Sequence, residues 1–187
     1  MQYLNKNTIV VNDLTFARKI IEIGQVNISP CYQCLTCSLG CPVAFAMDYR
    51  PNQLIRMVQL GLKESVLSSS AIWLCANCET CAARCPNEVD IPKLMDALRE
   101  MSLKEGFASQ KSIISFNRSF LHSIRRWGKQ FELPMLLQFK LMTGDLFSDL
   151  DLGAKMLIKG KMKLTPPHFK KSAVIKSIFR KSEGPSR

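Results

Sequence analysis

Much of what this 187-residue chain does not contain bears on what it does. No apolar run approaches the roughly 18 residues of a membrane-spanning helix. Near the N-terminus only Ile9, Val10 and Val11 form a consecutive apolar block, too short for a secretory leader. A cytoplasmic location and no transmembrane segment are therefore expected. Histidine occurs only as His122 and His168, neither with a carboxylate or cysteine at ligand spacing, so neither is assigned to catalysis. No serine, histidine and acid set suggests a nucleophilic triad, and no glycine-rich dinucleotide fingerprint is present. Strand-like alternation is nearly absent, which points to an all-α chain. Acids are scarce too: 15 Asp and Glu face 26 Lys and Arg, for a formal net charge of +11.

The cysteines are present in a form that fixes the chemistry. Cys31, Cys34, Cys37 and Cys41, followed by Pro42, read C-x2-C-x2-C-x3-C-P. Cys75, Cys78, Cys81 and Cys85, followed by Pro86, repeat the run 44 positions later. This is the ligand spacing of bacterial-type proteins with two iron–sulfur clusters. Three cysteines on a tight turn converge on three corners of one cubane, and the fourth, ahead of a turning proline, points away. In two-cluster ferredoxins that fourth residue ligates the other centre. The expected grouping is Cys31, Cys34, Cys37 and Cys85 around one [4Fe–4S] cluster, and Cys75, Cys78, Cys81 and Cys41 around a second. Zinc sites more often use separated cysteine pairs, and four thiols within eleven residues crowd one tetrahedral ion. A disulfide framework belongs to short secreted chains. Two clusters imply one-electron transfer.

Helix punctuation organises the chain around these runs. Asn12 or Asp13 caps a helix reaching Ile23, with Leu14, Ala17, Ile20 and Ile21 on one face and Gly24 as its stop. Pro51 opens a helix that buries Leu54, Ile55 and Val58 and ends at Gly61. Ser68 to Ser70 offer a cap before Ala71, Ile72, Trp73 and Leu74. Asp90, with Pro92 in the first turn, starts the clearest helix, striped by Ile91, Leu94, Met95, Leu98 and Met101 and closed by Gly106. The expected organisation is a helical two-cluster ferredoxin domain over 1–106 and a basic helical extension over 107–187. In the extension, Ser109 to Phe131, Pro134 to Met142, Leu146 to Ile158 and Lys170 to Lys181 read as helices, with a break at Pro166-Pro167 and a frayed end over Ser182 to Arg187. From Lys155 to Arg187 ten basic residues face the single acid Glu183, supplying +9 of the net charge. Clusters with four thiolates each carry about −2, so the loaded protein is less basic than the formal count.

A helical domain with C-Y-Q-C-L-T-C-S-L-G-C-P at 31–42 and W-L-C-A-N-C-E-T-C-A-A-R-C-P at 73–86, followed by K-M-L-I-K-G-K-M-K-L-T-P-P-H at 155–168, resembles the C subunit of heterodisulfide reductase. The resemblance implies a relay between the A subunit of such an enzyme, which holds flavin and iron–sulfur clusters, and the disulfide-reducing B subunit with its non-cubane clusters, inside a larger complex. Absences agree with this division, since no Cys-Cys pair exists and no cysteine follows Cys85. The cysteine runs alone also fit an iron–sulfur subunit of a hydroxy-acid dehydrogenase, such as glycolate, lactate or glycerol-3-phosphate oxidoreductases. A nucleic-acid-binding or regulatory iron–sulfur protein ranks below both, because the basic arm interleaves its charges with Leu, Ile, Met and Phe and lacks a nucleic-acid motif. Its expected target is an acidic surface on a partner chain.

Several residues near the runs invite a cluster role. Pro42 and Pro86, each directly after a fourth cysteine, fit one. Trp73 is better assigned to the core than to shielding a cluster. Tyr32 is a candidate hydrogen-bond donor to sulfur. For Arg84 the plainer assignment is a solvated charge, against tuning of a neighbouring centre.

Overall fold

A computed structural model describes residues 13–144 and 172–182, with isolated positions between 153 and 169. Among the described residues the chain is helical, with no strand. It divides into two units, Met1–Gln110 and Lys111–Arg187. The expected helix Leu146 to Ile158, the Pro166-Pro167 break, His168 and the terminal residues 183–187 lie largely or wholly outside the described residues.

Unit 1 is built around two longer helices and a set of short ones. The first helix, α1 (Leu14–Gly24), starts at Asp13, whose carboxylate accepts from the Thr15 backbone N–H at 2.9 Å. It buries Phe16 and Ile20 completely, while Ala17 and Ile21 are only half-buried. Gly24 does not stop this helix. Gln25 takes the left-handed backbone conformation instead, at φ 46°. Gly24 serves packing: a Cβ there would meet Ala97 Cβ at 3.1 Å, so the missing side chain lets α1 approach a later helix.

After the first cysteine run and its short helix α2 (Thr36–Leu39), Pro51 opens α3 (Pro51–Gln59) in the position where its absent N–H costs nothing. Leu54, Ile55 and Val58 are buried, as expected. The chain then turns at Gly61, whose φ of +73° and contact with the Asp13 backbone leave no room for a Cβ. Two short helices, α4 (Lys63–Leu67) and α5 (Ala71–Leu74), lead to the second run, where α6 (Thr80–Ala83) mirrors α2. The helix α4 has no sequence signal of its own. Its place is set by burial of Val66 and Leu67.

The longest element of unit 1, α7 (Ile91–Glu105), matches its sequence signals. Asp90 accepts from the Lys93 N–H at 3.1 Å, Pro92 lies in the first turn and Gly106 closes the helix at φ +78°. Ile91, Leu94, Met95, Leu98 and Met101 are all buried. Ser102 Oγ donates to the Leu67 carbonyl at 2.8 Å, tying α4 to α7.

Unit 2 is thinner. Its first helix, α8 (Lys111–Trp127), ends earlier than the expected Phe131 because Gly128 turns left-handed at φ +74°. Phe131 folds back, donating its N–H to Ser123 Oγ at 2.9 Å, and precedes α9 (Glu132–Thr143). Phe116 packs edge-on against Phe139, and Trp127 against Phe131, with ring centroids 5.7 and 5.5 Å apart. The last described helix, α10 (Ser172–Ser182), is basic; it covers most of the expected Lys170 to Lys181 stretch and runs one residue further, into Ser182, part of the expected frayed end. Many large apolar side chains of this unit stay in water, including Leu121, Leu137, Leu141 and Ile178.

Candidate metal centres

The two cysteine runs fold into the same irregular loop. Each run leaves its first cysteine, passes through left-handed backbone at the second and fourth residues beyond it, and enters a single turn of helix. In the first run these residues are Gln33 (φ 64°) and Leu35 (φ 67°), ahead of α2. In the second they are Asn77 (φ 48°) and Glu79 (φ 61°), ahead of α6. Non-glycine residues avoid this conformation, and such strain persists only where surrounding contacts enforce it. Its recurrence at equivalent positions of both runs argues that the loop shape is required by what the sulfurs must do.

Around these loops lie two small cavities. One is lined by Cys31, Cys34, Cys37 and Cys85, with Gln33, Asn52, Ile55 and Val89. The other is lined by Cys41, Cys75, Cys78 and Cys81, with Val43, Met47, Pro51 and Met95. Each cavity thus gathers three cysteines of one run and the fourth cysteine of the other. Ile91 lines both. Each has a volume of about 20 Å³, far below the roughly 300–1,000 Å³ of organic-ligand pockets. All eight cysteines are free thiols. Among the described residues, no three His, Cys, Asp or Glu side chains form a group suited to one metal ion. Four thiols spread around a cavity, rather than clenched on a point, suit a polynuclear centre.

Position separates the thiols chemically. Cys37 is buried, and burial pushes its thiol above the ordinary value. Burial does the same to Cys75, and pushes Cys81 up to about 11. Cys34 and Cys78 are exposed, and the hydroxyls of Thr36 and Thr80, at 3.3 and 3.5 Å from their sulfurs, hold both thiols low. The matched pairs Cys34–Thr36 and Cys78–Thr80 extend the internal repeat from backbone to side chains. Iron binds thiolate, so metal loading displaces protons from the buried members as well.

Each loop is braced from a neighbouring helix. Asn52 on α3 accepts from Ser38 Oγ at 2.6 Å and donates to Gln33 Oε1 at 3.0 Å, while Gln33 reaches Cys31 Sγ at 3.5 Å. The second loop is held by Arg99 on α7, which donates to the carbonyls of Ile72 (2.6 Å) and Cys75 and to Asn77 Oδ1 (3.2 Å). Asp96 pairs with Arg99 at 2.8 Å and accepts from Asn77 Nδ2 at 3.1 Å. The start of α5 is capped jointly: Ser69 Oγ, within the stretch whose sequence suggested a cap, accepts from the Ala71 N–H at 3.1 Å. Asp48, beyond the first run, adds a carboxylate that accepts from the N–H groups of Ser70 (2.7 Å) and Ala71 (3.0 Å) and from Ser69 Oγ (2.7 Å). Partial burial works to raise the Asp48 pKa, but these hydrogen bonds outweigh it and hold the carboxyl below its usual value. Asn87 Nδ2 also donates to the Pro30 carbonyl, fastening the end of the second run to the start of the first.

The other candidates fall into place around the cavities. Trp73 is buried and lines neither cavity, as a core residue should. Tyr32 is 62% exposed, its hydroxyl raised by desolvation and by the nearby Cys34. Arg84 is exposed yet not loose in solvent: its guanidinium crosses Gly40, 3.0 Å from where a Cβ would stand, beside Cys41. Pro42 and Pro86 are exposed. His122 shares a hydrogen bond with Gln138 at 2.8 Å. Asn52, Arg99, Asp96, Asp48 and Ile91 had no signal marking them as site residues, because each acts across a gap in sequence.

A helical domain with eight free thiols around two small cavities is of the ferredoxin type, and comparison with known proteins gives the same class. Residues 27–89 match the 4Fe-4S dicluster domain family. Curated relatives of the chain include proteins named as C subunits of heterodisulfide reductases. The chain is 36% identical over 106 residues to the C subunit of the H(2):CoB-CoM heterodisulfide,ferredoxin reductase of Methanothermobacter thermautotrophicus, covering 56% of this chain and 57% of the relative. It is 36% identical over 85 residues to the iron-sulfur C subunit of the CoB--CoM heterodisulfide reductase of Methanopyrus kandleri, 46% of this chain and 44% of that one. It is also 36% identical over 96 residues to the C subunit of the Ferredoxin:CoB-CoM heterodisulfide reductase of Methanosarcina acetivorans, covering 51% and 38%. The matches thus span about half the length of these relatives. Among the described residues, no helix is long and apolar enough to cross a membrane.

Proposed function

We propose that this chain is the electron-relay subunit of a heterodisulfide reductase complex, holding two [4Fe–4S] clusters with crossed ligation. Cys31, Cys34, Cys37 and Cys85 hold one, and Cys75, Cys78, Cys81 and Cys41 the other. The observation that carries this reading is the lining of the two cavities, each by three thiols of one run and one of the other. Bound clusters supply one-electron capacity. The chain's own residues do the rest. The braced loops hold thiols at fixed corners, and Ile55, Val89, Ile91 and Met95 keep water from the inner faces. Ile91 forms a common wall, so the two sites are neighbours across one side chain.

Disulfide chemistry belongs on another chain in this reading. Every cysteine of this chain lines a cavity, leaving none for exchange with a substrate. Electrons pass from the A subunit with its flavin and iron–sulfur clusters, through this chain, to the disulfide-reducing B subunit, and free thiols suit the cytoplasm. The test is anaerobic purification followed by iron analysis and EPR. About eight iron per chain is expected. Cys85→Ser is expected to remove the signal of the centre shared with Cys31, and Cys41→Ser the other. Loss of the opposite signals would refute the crossing. Co-purification with a flavoprotein and a Cys-Cys-rich chain supports the complex, whereas recovery of a hydroxy-acid oxidase would overturn it.

A further inference from the structure

Unit 2 holds a cleft of about 860 Å³ between α8 and α10. From α8 it takes His122, Arg125 and Arg126, and from α10 it takes Ala173, Lys176, Ser177 and Arg180. Positions 173, 176, 177 and 180 form one helical face, so Lys176 and Arg180 stand a turn apart on the same wall. Neither helix contains an Asp or a Glu. Among the described residues, no carboxylate pairs with Arg126, Lys176 or Arg180. Holding Arg126, Lys176 and Arg180 together with no described carboxylate among them is unfavourable, which is the signature of a surface awaiting an anionic ligand.

The form of the cleft says which anion. Compact phosphate sites recruit backbone N–H groups at a helix N-terminus or a glycine-rich loop. Apart from Ala173, in the first turn of α10, the lining residues lie in helix bodies whose N–H groups are spent on their own carbonyls, so the cleft presents mainly side chains to a ligand. Apolar residues adjoin the charged face: Val174 and Ile178, one helical step round α10, are 53% and 55% exposed, and Leu121 on α8 is 51% exposed. Cations flanked by bare aliphatic side chains complement a polypeptide with carboxylates on one side and apolar residues on the other. A nucleic-acid backbone would leave those aliphatic groups without a partner.

We propose that the cleft between α8 and α10 docks an acidic, amphipathic segment of a partner chain. The proposal rests on the reading of this chain as part of a multi-chain complex, and it assigns the contact to Arg126, Lys176 and Arg180. The iron-loaded full chain is titrated with a labelled helical peptide carrying glutamates at i and i+4 and leucines on the opposite face. The same peptide with glutamine for glutamate and a duplex DNA are run in parallel. The acidic peptide is expected to bind, its affinity falling with salt, and the Lys176→Glu, Arg180→Glu double variant to bind it at least about tenfold more weakly at low ionic strength. Equal binding by the variant, equal binding of the glutamine peptide, or preferential binding of DNA would overturn the proposal. Iron content and EPR signals of the same samples report on the relay reading separately. Intact clusters with no peptide binding refute the cleft alone, and peptide binding without clusters refutes the relay alone.

Discussion

Replacing Arg99 by alanine removes the strut that holds the second cysteine loop against α7. Its guanidinium donates to the carbonyls of Ile72 and Cys75 as α5 ends, where a helix leaves carbonyls without internal partners. Hydrogen bonds from a charged donor are worth about 1.5–3 kcal/mol each, so two amount to about 3–6 kcal/mol. The Arg99 side chain is 22% exposed, which lets water recover part of that. The pair with Asp96 adds little, because Asp96 is 58% exposed and such pairs contribute about 0.2–1 kcal/mol. A net loss of about 3 kcal/mol is expected for Arg99→Ala. Arg99→Lys, which keeps the charge without the fork, is expected to lose about half as much. Anaerobic urea denaturation, followed by circular dichroism on samples of matched iron content, measures both. Variants that both unfold within about 0.5 kcal/mol of the parent would refute the argument.

The cap supplied by Asp48 predicts a pH dependence. Its folded pKa is depressed, so its stabilising contribution is full above the ordinary carboxylate value and is lost as pH falls through the lowered one. Hydrogen exchange at the Ser70 and Ala71 amides is expected to lose protection in that acid range. Asp48→Asn is expected to cost about 1 kcal/mol at neutral pH, read from the same amides. Gly61→Ala combines a φ of +73° with a Cβ 2.7–2.9 Å from the Asp13 backbone, and is expected to lower stability by about 2–4 kcal/mol in thermal melts. Leu98→Ala, at a fully buried site, is expected to cost about 2–5 kcal/mol. Leu137→Ala, at 60% exposure, is expected to stay within about 0.5 kcal/mol. Equal costs for the two leucines would mean that the core is misplaced.

Sequence reading succeeded where the cause is local. The caps of α7 are encoded by Asp90, Pro92 and Gly106, each acting within a turn of itself. The thiol spacing likewise carries its own chemistry, and the helical class follows from the near absence of strand alternation. Failures came where a distant group displaced the local one. Ser68 to Ser70 look like a cap, and Ser69 does accept from the Ala71 amide, but the Ser70 amide goes to the carboxylate of Asp48, which no local pattern marks, from more than twenty residues away. Gly24 looks like a stop, but Ala97 from α7 needs the space. Nothing in Gln33, Leu35, Asn77 or Glu79 announces left-handed backbone, since tertiary contacts and not propensity impose it. The early end of α8 is different in kind: Gly128 turns left-handed at φ +74°, a local stop that the apolar periodicity running on to Phe131 obscures.

Ile91 is both the first residue of α7 and the partition between the cavities. The thickness of the layer between the two cavities is therefore set by how a helix begins. Asp90 anchors that beginning, and Pro92 stiffens it. A change at either would alter how closely the sites communicate without touching a single thiol. The side chain is shared property, so a volume change made for one cavity is felt in the other. Neither half of the duplicated pattern is free to be tuned alone.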